Sequence, residues 1–111
     1  MLLIERRKGG DRRRDGRYRV SLNVEWEGPS GRWIGTLNDI SRSGCYILSE
    51  GEVDDGDRIN IEFPLGDLGS DPVTGEVANH AFDIGFGVKF EDLSLQQQAQ
   101  LDKYIRFIES H

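Results

Sequence analysis

Tyr18-Arg19-Val20-Ser21-Leu22-Asn23-Val24-Glu25-Trp26 is the stretch on which the fold turns. Val20, Leu22, Val24 and Trp26 alternate with polar residues, the period-two pattern of a half-buried strand. Glu27-Gly28-Pro29-Ser30-Gly31 follows as a turn cluster. Arg32 to Leu37 reads as a second strand. Asn38 to Gly44 reads as a polar connection rich in turn formers. Cys45-Tyr46-Ile47-Leu48 is a short third strand. After the turn at Val53–Asp57, Ile59, Ile61 and Phe63 alternate in a fourth strand that stops at Pro64. Leu65 to Pro72 reads as a longer loop. Val73 to Asn79 forms a fifth strand, and Ile84, Phe86, Val88 and Phe90 alternate in a sixth. Gly85 and Gly87 fall on the opposite face, where a ligand or another backbone can approach closely. Six short strands at regular spacing predict a mainly β fold, a small antiparallel barrel or sandwich.

The C-terminal end has a different period. Ser94-Leu95-Gln96-Gln97 fits a capping box with Ser94 as N-cap. Leu101, Tyr104, Ile105 and Ile108 follow at i, i+3, i+4 and i+7, one face of a helix over about 95–109. That stripe needs a surface to cover, most simply an open end or edge of the barrel. Phe107 lies off the stripe. Trp26, Phe63, Phe86 and Phe90 are expected in the core, with Trp33 nearer the surface. Cys45 reads as a small buried hydrophobe rather than a reactive thiol.

The charge is unevenly placed. The 111 residues hold 14 basic and 20 acidic side chains, a formal net charge of −6. Residues 1–19 hold eight basic and three acidic ones, net +5, which leaves −11 on residues 20–111. Residues 1–17 are charged, contain Gly9, Gly10 and Gly16, and lack apolar periodicity, so they read as a flexible arm on a folded unit at 18–111. A basic arm on an acidic body points to an anionic partner.

Several classes are disfavoured. The longest apolar runs are Met1–Ile4 and Cys45–Leu48, too short to span a membrane as a helix. Met1–Ile4 is also shorter than the apolar core of a signal peptide, so a cytoplasmic location is expected. One cysteine and two distant histidines, His80 and His111, make a poor metal set. No catalytic triad, and no glycine-rich phosphate loop leading into a helix, can be placed, so an enzyme is not expected.

Two segments carry candidate chemistry. The first is Arg12-Arg13-Arg14-Asp15-Gly16-Arg17-Tyr18-Arg19, with Arg13 and Arg17 spaced RxxxR. A guanidinium fork pairs bidentately with phosphate, matches the O6 and N7 acceptors of guanine, and stacks on a purine. The plain alternative is a solvated basic tail. The second is Asn38-Asp39-Ile40-Ser41-Arg42-Ser43-Gly44. Asp39 suits the N1–H and N2–H₂ donors of a guanine edge, Ser41 can donate and accept, and Gly44 permits a positive φ or a close approach. The plain alternative is a turn in which Asp39 and Ser41 satisfy their own backbone.

RxxxR followed by DxSxxG across one hairpin of a small β domain resembles the PilZ domain, the bacterial cyclic di-GMP receptor family. Arg17-Tyr18-Arg19-Val20 looks like the family's entry into its first strand. Val73–Val77 with Ile84–Phe90 looks like its closing hairpin. The resemblance implies a six-stranded antiparallel barrel with a C-terminal helix and no cofactor beyond the ligand. It implies that Arg12, Arg13 and Arg17 grip cyclic di-GMP and that Asp39, Ser41 and Gly44 form the guanine site. Arg14, Arg19 and Arg42 are accessory candidates. Arginine at position 12, just before RxxxR, implies two ligand molecules per domain. Many members place an aromatic late in the strand before the closing hairpin; Asn79 and His80 stand there instead. The implied role is an adaptor regulating a partner protein in motility, exopolysaccharide synthesis or virulence. The competing readings are a ligand-independent interaction module of the same fold, and a nucleic-acid binder, which the −11 body disfavours.

Overall fold

A computed structural model describes residues 16–63, 72–81 and 84–110. The expectations for residues 1–15, including Arg12, Arg13 and Arg14, lie outside these residues. Six strands form in chain order: β1 (Tyr18–Gly28), β2 (Gly31–Ile40), β3 (Gly44–Leu48), β4 (Arg58–Glu62), β5 (Val73–Ala81) and β6 (Gly85–Glu91). The helix α1 spans Leu95–Glu109. The strands close into an antiparallel barrel in the order β1-β2-β3-β6-β5-β4.

Closure follows from the alternation. Val24, Trp26, Leu37, Ile47, Ile59, Ile61, Val77, Phe86 and Val88 all point inward and are buried. Trp26 packs edge-on against Phe86 with ring centroids 4.9 Å apart. Its indole N–H is not orphaned, because it donates to Ser49 Oγ at 3.1 Å. Trp33 is half-buried and stacks beside Trp26, packing against the edge of the core. The β1–β2 hairpin turns through Pro29-Ser30, and Gly31 supplies the left-handed φ of 127°.

The barrel closes where β1 meets β4, and there Glu25 pairs directly with Glu62. Like charges placed opposite one another repel. Arg32 offsets this: its Nη2 reaches Glu25 and Glu62, each at 2.9 Å. These two carboxylates raise the Arg32 pKa above its usual value.

The helix is capped as the sequence predicts. Ser94 Oγ accepts from Gln97 N–H at 3.0 Å, and Ser94 N–H donates to Gln97 Oε1 at 3.0 Å. Leu101 and Ile105 are buried, and Tyr104 and Ile108 pack against the core. The apolar stripe thus lies over the barrel end where β1 begins, and Phe107 stays 58% exposed.

Two expectations need correction. The connection read at Asn38–Gly44 is shorter: Asn38, Asp39 and Ile40 belong to β2, and only residues 41–43 link it to β3. The ladder absorbs a bulge between Leu37 and Asp39, which keeps Ile40 turned into the core at 0% exposure. Ile84, read as part of the sixth strand's apolar face, lies in the preceding turn and is 60% exposed.

Gly44 opens β3 opposite Lys89 of β6. A Cβ there would sit 2.1 Å from the carbonyl oxygen of Val88. Gly44→Ala is therefore expected to cost about 1–3 kcal/mol through forced separation of β3 and β6, measured by urea unfolding. Burial drives the Cys45 thiol pKa strongly up. Native protein at pH 8 should resist alkylation at Cys45, and unfolding should expose it; alkylation as fast as that of free cysteine would contradict the packing.

Candidate functional site

The strand register brings the second motif half to an outer wall of the barrel. Arg19 pairs with Asp39, Asp39 with Tyr46, Tyr46 with Gly87, and Gly87 with Asn79. Directly opposed residues share a face. Cys45 and Ile47, on either side of Tyr46, point into the core. The row Arg19, Asp39, Tyr46, Gly87 and Asn79 therefore runs across β1, β2, β3, β6 and β5 on the outside.

Arg17 reaches onto this row. Its Nη1 donates to Asp39 Oδ1 at 2.5 Å, with side-chain exposures of 53% and 26%. One residue of RxxxR thus meets the aspartate of DxSxxG across 22 positions of sequence. Asp39 does not spend its carboxylate on its own turn. Its position on a strand, rather than in a loop, holds it rigidly beneath the guanidinium.

Ser41 behaves otherwise. It is 1% exposed. Its N–H donates to Gly44 O at 2.8 Å, and its Oγ accepts from the N–H groups of Ser43 and Gly44, each at 3.2 Å. Ser41 ties the turn that follows Asp39. Gly44 makes no use of positive φ; among the described glycines only Gly31 and Gly56 do. What it supplies is the close approach to β6.

Arg42 points from the same turn toward the helix. Its Nε donates to Asp102 Oδ1 at 2.9 Å, and Asp102 also holds Arg106 at 2.9 Å. The bond from Asp102 raises the Arg42 pKa. Tyr18, between Arg17 and Arg19, donates its hydroxyl to Glu109 near the end of α1. That carboxylate raises the phenol above its usual range. The site wall is thus tied to the helix at two places.

The opposite barrel end has a different character. A cavity of about 450 Å³ is lined there by Glu50, Glu52, Asp54 and Asp57 together with His80 and Phe86. His80 lies against Asp55, Nδ1 to Oδ1 2.7 Å. This ring of carboxylates repels a phosphodiester, so this end of the barrel is poorly suited to an anion. Asn79 and His80 part company here: Asn79 joins the outer row, and His80 faces the acidic end. Among the described residues, no group of three or more His, Cys, Asp or Glu is arranged to hold a metal ion. Among them, too, no helix is long and apolar enough to cross a membrane.

Tyr46 was not singled out by sequence reasoning. The signal for it was its place two residues after Gly44, as the aromatic between two inward apolar residues. An outward aromatic is visible from alternation, but its neighbours on other strands are not.

No curated protein matches the chain. Among solved structures, the barrel is similar to the PilZ domain with c-di-GMP of YcgR from Escherichia coli, at TM-score 0.73 and 19% identity, covering 90% of this chain and 93% of that one. It is similar to MrkH of K. pneumonia in its c-di-GMP complex, at TM-score 0.71 and 16% identity, covering 90% and 52%. It is also similar to the Bacillus subtilis inhibitor of motility MotI, at TM-score 0.67 and 19% identity, covering 90% and 53%. The chain spans about half the length of MrkH and MotI. At these identities the likeness is one of fold. A family model described as PilZ domain matches residues 11–107, nearly the whole chain, and the chain belongs to that family.

Proposed function

We propose that this chain is a cyclic di-GMP receptor that acts as a non-enzymatic adaptor. The observation that carries the reading is the Arg17–Asp39 pair, which brings the two motif halves together on one outer wall. In this reading Arg12, Arg13 and Arg17 hold phosphate and guanine. Asp39 accepts from the N1–H and N2–H₂ of a guanine edge. Ser41 fixes the turn beside Asp39, and Gly44 fixes the wall's spacing. Arg14 is accessory, whereas Arg42, paired with Asp102 of α1, serves the link to the helix. The YcgR PilZ domain and MrkH, each solved with c-di-GMP, support the ligand class.

Ligand binding replaces a contact rather than filling empty space. Asp39 already holds Arg17, so a guanine that takes the carboxylate frees or shares the guanidinium. The freed fork then turns to phosphate or stacks on the base. The ligand's two phosphates offset part of the +5 on residues 1–19, while the −11 on residues 20–111 stays. The complex therefore presents a different electrostatic face to a partner.

The output runs through α1. Arg42 joins the turn after Asp39 to Asp102, and Tyr18 joins the start of β1 to Glu109. A ligand that reorders Arg17 and the turn shifts the helix ends, next to exposed Phe107. The regulated partner is a protein that reads this face in motility, exopolysaccharide or virulence control.

Titration calorimetry with cyclic di-GMP tests the reading. Arg13→Ala, Arg17→Ala and Asp39→Ala should each cost at least about 1.5–3 kcal/mol of binding, the worth of a hydrogen bond to a charged group. Unchanged affinity in all three would contradict the site. No binding by the unaltered chain would instead assign a ligand-independent interaction module. With Arg12 in place, two ligands per chain are expected at saturation, and a plateau at one would remove the ligand-dimer mode. Arg42→Ala should leave affinity within about threefold, since an exposed ion pair contributes little. It should also abolish ligand-induced changes in amide exchange along α1; persistence of those changes would remove Arg42 from the coupling.

A further inference from the structure

The outer wall beside Asp39 has a feature that neither motif contains. Tyr46 is directly opposite Asp39 on one side and Gly87 on the other. Its ring does not stand away from the sheet. A Cβ at Gly85 would fall 2.9 Å from Tyr46 Cε2, so the ring occupies the space that a side chain at 85 would take. At Gly87 a Cβ would fall 3.2 Å from Asn79 Oδ1, so the Asn79 carboxamide lies across that glycine in the same way. Two glycines on β6 thus let two planar side chains settle against the backbone. The result is a low floor, half aromatic and half amide, over β6, with β3 between it and the β2 strand that carries Asp39.

We propose that Tyr46 is the stacking platform for a guanine base of cyclic di-GMP and that Asn79 borders the same subsite. The inference deepens the receptor reading and rests on it. Asp39, one strand away, grips the edge of a base. Opposed side chains in a sheet lie about 4.5–5.5 Å apart at Cβ, within the span of a purine. A base whose edge meets Asp39 therefore projects its face over Tyr46 or above Arg17. A guanidinium on one face and a phenol ring on the other would sandwich it. The Asn79 amide offers both a donor and an acceptor to the rim of the base or the ribose. Lys89 neighbours this floor on β6, exposed to solvent, and adds a positive charge on the same strand.

The test uses the whole chain and cyclic di-GMP. Tyr46→Leu keeps apolar bulk over Gly85 while removing the aromatic face, so the fold is retained. It should weaken cyclic di-GMP roughly 5- to 150-fold, the range for losing one base–aromatic stack. Tyr46→Phe should stay within about threefold of the unaltered chain, because the ring and not the hydroxyl carries the contact. Tyr46→Trp supplies a spectroscopic readout that packing alone would not move. Its added fluorescence should be quenched on ligand addition, beyond any change from Trp26 and Trp33, which lie toward the other barrel end. Equal affinity of Tyr46→Leu and the unaltered chain, or no added quenching in Tyr46→Trp, overturns the platform while leaving the receptor reading intact. Absence of binding by the unaltered chain overturns both.

Discussion

The close approach of β3 to β6 at Gly44 is the constraint on which the remaining architecture depends. No side chain fits between Gly44 and the Val88 carbonyl. That contact is compatible with the observed register of the two strands, and in that register the outward neighbours of β3 on β6 follow. The register places Tyr46 against Gly87 and, through β2, against Asp39. It also turns Cys45, Ile47, Phe86 and Val88 inward together, where they meet Trp26. Core and site wall are two faces of one ladder, and a slip of one residue would exchange them.

Charge is arranged with the same economy. The closing seam sets Glu25 against Glu62, and Arg32 neutralises the repulsion. The acidic cavity at one barrel end and the arginine-bearing wall nearer the other divide the molecule electrostatically. Like-charge repulsion disfavours an anion at the cavity. The helix over the end where β1 starts is fastened to the barrel by side-chain contacts. Its Asp102 and Glu109 hold Arg42, in the turn after Asp39, and Tyr18, at the start of β1.

Much of this was legible in the chain. Alternation at Val20–Trp26 and Phe86–Phe90 marked strands, because a sheet with one wet face must alternate. The capping box at Ser94 marked the helix start to the residue. Asp39 was legible as a candidate but not as a strand residue, since turn-forming neighbours masked the single buried Ile40. Ile84 misled in the opposite direction: its apolar character fitted the period, yet the strand begins one residue later. Ser41 was legible as polar and useful, but polarity does not reveal that its oxygen is used within its own turn.

The unequal charge of arm and body, the period-two strands, the RxxxR and DxSxxG spacings and the capped helix are properties of local sequence, and the sequence alone determined them. They follow from short-range sterics, alternation and charge, which need no knowledge of distant partners. Only the tertiary structure decided that Arg17 lands on Asp39, that Tyr46 stands between Asp39 and Gly87, and that Arg42 turns to the helix instead of the wall. Each of these is set by strand register and barrel closure. Register is a cooperative outcome of packing all six inner faces at once, and no segment of the chain carries it by itself.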